Sequence, residues 1–325
     1  MLETLGRAPE SDRWTEAIAS IQDTDRSPQY GGLVLRPQEG LTPLGQDPAS
    51  GLWEFAHLHS GQPAQHDESG RLVIEAATGL TLVLLPGGTA TMGDQQGKRR
   101  DNPGIELPVH EISLAPFFLS KYEMTQAQWL RVTGENPSGC GPGNRFGLTV
   151  DLCHPVEAVT WDESRMVVHR LDLTLPTESQ WEFAARAGTE TAWWTGDDPA
   201  SLLGAAVLYD SFTARERSKF DGRATDVEFD DGHVMHARVD TLRANPFGLH
   251  HVHGNVAEWV RDFMQPYHAP PREPDGWRPA LDGLPIKRGG GHVDLAEHTR
   301  SSFRECTESH VPSMFCGLRP ARELR

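Results

Sequence analysis

The chain has 325 residues, 37% of them hydrophobic, with 30 basic against 46 acidic side chains and a formal net charge of −16. That apolar content can build a packed core and excludes wholesale disorder, and the acidity excludes the basic face with which a protein displaces counterions from nucleic acid. No apolar run approaches the roughly 20 residues of a membrane span, and the start, MLETLGRAPESDRW, lacks the basic and apolar regions of a signal peptide, so a soluble, cytoplasmic protein is expected.

Residues 1–75 read as an accessory segment that packs on a main domain of residues 76–325. Within it, SDRWTEAIASIQ has the Ser/Asp start and the apolar spacing of a short helix, through Trp14, Ile18 and Ile21. GGLVLRPQEGLTPLG, GLWEFAHLHSG and GRLVIEA are short apolar runs punctuated by Gly and Pro, the pattern of β-hairpins. LTLVLLPGGTATMG then predicts a buried strand, a turn and a second strand, and VHEISLAPFFLSKYEMT predicts two more. TQAQWLRVTG predicts a helix capped by Thr125 and closed by Gly134. HPVEAVTWDESRMVVHRLD predicts a strand followed by a helix opening near Asp162. LPTESQWEFAARAG predicts a third helix, a structural one, capped by Thr177 and closing at Gly188. Long polar loops follow from Thr189 to Pro246, and FCGLRPAREL predicts one closing strand. Abundant Gly (32) and Pro (24) agree with a loop-rich fold.

Motifs of common chemistry are missing from the sequence: there is no GxSxG, P-loop, GxGxxG after a strand, or HExxH. The four cysteines, Cys140, Cys153, Cys306 and Cys316, form no CxxC pair, which argues against a zinc site built on them. HHVHG places His250, His251 and His253 together. In an extended segment His251 and His253 share one face and, with Glu258, would hold a metal; hydrogen bonding within loops is the plainer expectation. Asp294, Glu297 and His298 have no spacing that makes a catalytic pair, and read as surface polar residues.

Taken in order, LLPGGTATMG, PVHEISLAPFFLSKYEMTQAQW, HPVEAVTWDES, LPTESQWEFAARAG, NPFGLHHVHGNVAEWVRD, KRGG and CGLRPAR resemble the formylglycine-generating enzyme family, also called sulfatase-modifying factor domains, over residues 81–325. The resemblance implies an α+β, C-type-lectin-like fold, loop-rich, with short helices and twisted antiparallel sheets. Members that make formylglycine hold a soft copper ion with two cysteines about four and nine residues past the second Gly of the GG motif. Counted from Gly290, the matching positions here are Asp294 and Thr299, so formylglycine chemistry is not expected and no catalytic residue is assigned. A sulfoxide-synthase branch needs an HxxxH pair on an N-terminal helix, whereas this chain offers only His57, His59 and His66 there.

A further branch resembling this family serves as the variable protein of diversity-generating retroelements, and binds through the stretch between RGG and the last GxRxA strand. Here that stretch is 291–316. The leading expectation is therefore a non-catalytic protein that binds a protein or small-molecule ligand. Its surface would use His292, Asp294, Glu297, His298, Thr299, Ser301, His310, Val311, Met314 and Phe315, with Trp193 and Trp194. The alternatives are a metal-dependent oxidoreductase of the same superfamily with a non-cysteine site, and a regulatory interaction domain related to kinase-linked members. No cofactor is required; calcium is the one the resemblance offers, through Gly254, Val256 and Glu258 at one site and Asp231 at another. Both sites read as degraded, because the family's acid or Asn is His251 at the first, and its Asn is Val207 at the second.

Overall fold

The computed structural model describes residues 10–97, 104–144, 149–217, 225, 227–280 and 282–325. Helix α1 (Glu10–Gln22) buries Trp14, Ala17 and Ile21 along one stripe. Trp14 stacks 5.3 Å from Phe55 of strand β2 (Trp53–His57), which pairs with β1 (Leu41–Gln46). The Tyr30 hydroxyl accepts from the Trp53 amide at 2.8 Å and donates to the Leu84 carbonyl at 3.0 Å, tying this region to the strands beyond it. A two-stranded ribbon, β3 (Gln65–His66) with β4 (Leu72–Val73), precedes β5 (Thr81–Leu85). Strand β6 (Gly88–Met92) pairs with β7 (His110–Leu114), and β8 (Phe117–Ser120) follows.

Three helices then open with the same device. In α2 (Gln126–Thr133), α3 (Trp161–Arg170) and α4 (Glu178–Arg186), a Thr side chain accepts from the third helical amide and that residue's side chain accepts from the Thr amide. The caps are Thr125, Thr160 and Thr177. Gly134 closes α2 in the left-handed region, whereas α4 turns left-handed at Ala187, one residue before the expected Gly188. Helix α4 is buried on every face, which suits a helix threaded between two sheets rather than lying on one. A short helix α5 (Ser211–Arg217) interrupts the stretch expected to be loops.

The remaining strands are β9 (Ala257–Phe263), β10 (Pro285–Arg288), β11 (Glu305–Cys306), β12 (Cys316–Leu318) and β13 (Ala321–Glu323). They complete a five-stranded sheet, β1-β2-β5-β8-β13, and a four-stranded sheet, β11-β10-β9-β12. The mixed architecture, with few helices and mainly antiparallel sheets, is the expected one. One pair departs from it: β12 runs parallel to β9. The two strands of the first 57 residues lie in the same sheet as β5, β8 and β13, and one apolar core runs from Trp14 to Ala321. Among the described residues no helix is long and apolar enough to cross a membrane.

Three local expectations fail. Residues 33–38 form no strand, and HPVEAV makes only isolated bridges, Thr125 to Pro155 and Val159 to Ser313. FCGLRPAREL is two strands in two sheets. Pro320, which has no amide to donate, follows the break, and Arg319 turns inward there.

The interior is unusually polar around α4. Glu178 pairs with Arg288 at 3.1 Å and with Arg304 at 2.7 Å. Glu182 pairs with Arg288 and, at 2.8 Å, with Arg186. All five side chains are buried, and together they fix the strand that carries the KRGG motif.

Candidate functional site

The GG turn sets up the stretch that follows. Gly290 has φ +63°, and a Cβ there would lie 2.8 Å from Thr299 Cγ2 and 2.9 Å from the His298 carbonyl. The chain can therefore fold back on residues 298–299 only because position 290 is bare. The two positions where copper-binding relatives carry cysteines both bond inward. Asp294 Oδ2 accepts from the Gly291 amide at 2.8 Å, and its carbonyl accepts from the Tyr209 amide at 3.0 Å. Burial pushes the Asp294 carboxyl up, against the lowering effect of the Gly291 amide. Thr299 is buried at the end of a 3₁₀ turn (Ala296–Thr299); its hydroxyl accepts from the Trp193 indole at 3.0 Å and donates to the Ala296 carbonyl at 2.9 Å.

The expected ligand-binding residues fall into two layers. His292, Thr299, Ser301 and Trp193 are interior. His292 Nδ1 lies 3.0 Å from the Asn255 carbonyl, and its ring stands edge-on to Phe315 at 5.4 Å. Trp194 is half-buried: its amide donates to His253 Nε2 at 3.3 Å, and Arg243 covers its ring at 5.5 Å. Glu297, His310, Val311 and Met314 are exposed, with His298 and Phe315 half-buried between the layers. Val311 and Met314 are 41% and 49% accessible, and so present apolar surface to water. Their loop is pinned: the Ala158 amide donates to the Ser313 carbonyl at 3.0 Å, and the Ser309 hydroxyl donates to Asp162 Oδ2 at 2.9 Å. A cleft of about 880 Å³ opens elsewhere, between α3 and β13, lined by Arg165, Met166, His169, Arg322 and Arg325 among others.

The two carboxylates expected at calcium sites are engaged by protein donors. Arg319 Nη2 donates to Glu258 Oε1 at 2.6 Å, and the Trp181 indole donates to Oε2 at 2.7 Å. Gly254, at φ +74°, sits so close to the Val207 carbonyl that a Cβ would lie 2.2 Å from it, and the Val256 amide donates to Glu123 Oε1 at 3.2 Å. Asp231 accepts from the His233 amide at 2.8 Å and the Leu208 amide at 3.0 Å. Burial pushes its carboxyl up to about 7. The His233 carbonyl accepts from the Thr213 hydroxyl at 3.0 Å.

HHVHG is not extended, since His251 has φ +53°. His250 Nδ1 faces the Thr241 carbonyl at 3.1 Å and His251 Nε2 faces the Arg238 carbonyl at 3.1 Å. Burial pushes His250 down to about 4 and His253 down to about 3. All three make hydrogen bonds within loops, and burial disfavours their charged forms.

One grouping escaped sequence reasoning. Cys140, Glu157 and His236 converge, one ligand atom from each lying within 4.8 Å of the others, and all three are buried. Glu157 Oε1 accepts from the Cys140 amide at 2.7 Å. Burial pushes the Glu157 carboxyl up to about 7. His154 and His292 flank the His236 ring, with centroids at 5.2 and 5.6 Å. Two of these residues lie in a quoted motif, HPVE, but no spacing rule joins them to a cysteine and a histidine in distant stretches.

Comparison with known proteins agrees with this architecture. The sequence profile of the sulfatase-modifying factor enzyme 1-like domain matches residues 72–324. The formylglycine-generating enzyme of Streptomyces coelicolor is 27% identical over 262 residues, which covers 65% of this chain and 78% of that protein. The serine/threonine-protein kinase pkn1 of Chlamydia pneumoniae is 28% identical over 269 residues, 75% of this chain but only 38% of the kinase. Among solved structures, Treponema denticola variable protein 1 superposes with a TM-score of 0.59 at 21% identity, covering 75% of this chain and 96% of that one. PvdO from Pseudomonas aeruginosa gives 0.58 at 22% identity, covering 81% and 99%.

Proposed function

This chain belongs to the sulfatase-modifying factor enzyme 1-like domain family, and from that premise we propose that it is a non-catalytic binding protein whose partner, a protein or small molecule, docks on the face built by residues 291–316. One observation carries the reading. Asp294 and Thr299 stand where copper-binding relatives carry cysteines, and both bond into the scaffold, to the Gly291 amide and the Trp193 indole. Neither can supply the soft thiolate pair that Cu(I) prefers. What the stretch offers outward is Glu297 on its 3₁₀ turn and His310, Val311 and Met314 on a pinned loop, apolar and charged groups together, the mixture suited to recognition on a rigid scaffold. The likeness to a variable protein supports the scaffold, and retroelement diversification of residues 291–316 is part of the same proposal. Calcium is not required in this reading, because the carboxylates of Glu258 and Asp231 already hold protein donors.

The test has two arms. A cysteine-containing sulfatase-motif peptide is incubated with the protein, copper and oxygen; the expected result is no oxygen uptake and no aldehyde, and turnover overturns the proposal. A displayed peptide library is then selected on the wild-type chain and on V311D/M314D. Peptides retained by the first and lost from the second support the docking face, and equal retention refutes it.

A further inference from the structure

Beneath that face lies a second set of groups. Cys140 comes from the turn after α2, Glu157 from the segment leading to α3, and His236 from the loop ahead of β9. Their Sγ, carboxylate oxygen and imidazole nitrogen lie within 4.8 Å of one another, and Glu157 and His236 are each only 1% accessible. Glu157 Oε2 and His236 Nε2 are buried without a hydrogen-bond partner. Leaving such groups unpaired costs about 1–3 kcal/mol each, so two of them on side chains that meet with a cysteine call for an occupant.

The remaining atoms of these side chains hold them in place. Glu157 Oε1 is fixed by the Cys140 amide at 2.7 Å. His236 Nδ1 lies 3.0 Å from His154 Nδ1. A hydrogen bond between two ring nitrogens needs one donor and one acceptor. With the proton on His236 Nδ1, His154 is the acceptor, and His236 Nε2 keeps its lone pair for a ligand. That is how an outer residue orients a metal-bound imidazole.

We propose that Cys140, Glu157 and His236 form a site for a divalent transition metal of the zinc type, with His154 as positioning residue and a fourth position on the side of His292. Zinc takes thiolate, imidazole and carboxylate together. Calcium and magnesium demand oxygen ligands throughout, and Cu(I) favours a set richer in sulfur than one cysteine provides. His292 contacts both the His236 ring and Phe315, so an ion here would stiffen the floor of the outer loop.

The full chain, stripped with a chelator, is titrated with Co²⁺ and followed in the near-ultraviolet and visible. Expected are one ion per chain, a thiolate-to-cobalt charge-transfer band, and displacement of Co²⁺ by Zn²⁺. Cys140→Ser should abolish the band. Glu157→Gln and His236→Gln should weaken binding at least tenfold, and His154→Gln about 10- to 100-fold. Absence of Co²⁺ binding by the wild type, or binding without the thiolate band, overturns the site whether or not any variant folds. Unchanged affinity in the folded Glu157→Gln and His236→Gln variants overturns it as well. The readout needs no partner, so its failure leaves the docking face standing, and loss of the docking face leaves this site standing.

Discussion

Replacing Arg319 with Met probes the joint between the two sheets. The guanidinium spends every donor inside the protein: Nε lies 3.0 Å from both oxygens of Glu258, Nη2 reaches Oε1 at 2.6 Å and the His250 carbonyl at 2.7 Å, and Nη1 reaches the Ser120 and Lys121 carbonyls at 3.1 and 2.9 Å. Both side chains are 1% accessible. Met fills much of the stem volume but leaves Glu258 charged with only the Trp181 indole, and three carbonyls lose a donor. Breaking a buried pair in this way costs about 3–5 kcal/mol, a large share of the roughly 5–15 kcal/mol that stabilises a domain. The expected fall in Tm is on the order of 10 °C. Urea unfolding at neutral pH reads the loss as a lower midpoint with an unchanged slope. The double variant E258L/R319M should recover much of it, because an apolar pair of similar volume replaces a buried ion pair at little cost. A loss below about 1 kcal/mol in R319M, or a double variant no better than the sum of its singles, would refute the reasoning.

Three other outcomes are expected. His253 is pushed down to about 3 by burial, so the native state needs it neutral; its contribution is fully present above about pH 6.5 and is lost as pH falls from there toward 3. The stability gap between wild type and H253N should therefore move against the wild type by about 2 kcal/mol between pH 6.5 and 5, and a constant gap in urea midpoints contradicts the assignment. Thr177→Ala removes a cap that accepts from the Gln180 amide at 3.1 Å and donates to the Asp275 carbonyl at 2.6 Å. It should cost about 1–2 kcal/mol in urea unfolding, and Ser at this position should restore most of that. Millimolar calcium added to chelator-treated protein should leave Tm unchanged, since Arg319 and the Leu208 and His233 amides occupy the acceptors a calcium ion would need; a rise with calcium concentration would show a site where none is needed.

Local signals carried the reading where a single stretch of chain decides its own structure. Thr125 and Thr177 were legible as caps because the residue three positions on completes the bond in the same turn. HPVEAV looked like a strand from its apolar content, yet its neighbours are α2 and the loop at Ser313, so it finds no ladder. Trp193 and Thr299 looked like surface groups in a polar stretch, and their mutual hydrogen bond, across residues far apart in sequence, is what draws both inside. The Cys140, Glu157 and His236 grouping depends on three segments meeting, which no periodicity encodes.

The passage from β12 to β13 has a consequence in time as well as in space. Residues 316–323 supply the last strand of both sheets, one on each side of Arg319 and Pro320. Until they leave the ribosome, β8 and β9 each have one side without its native partner, and Glu258 waits in the interior without its cation. Exposed strand edges of this kind invite pairing with other chains. The domain therefore passes through a vulnerable interval during synthesis, and a single short segment ends it by closing both sheets at once.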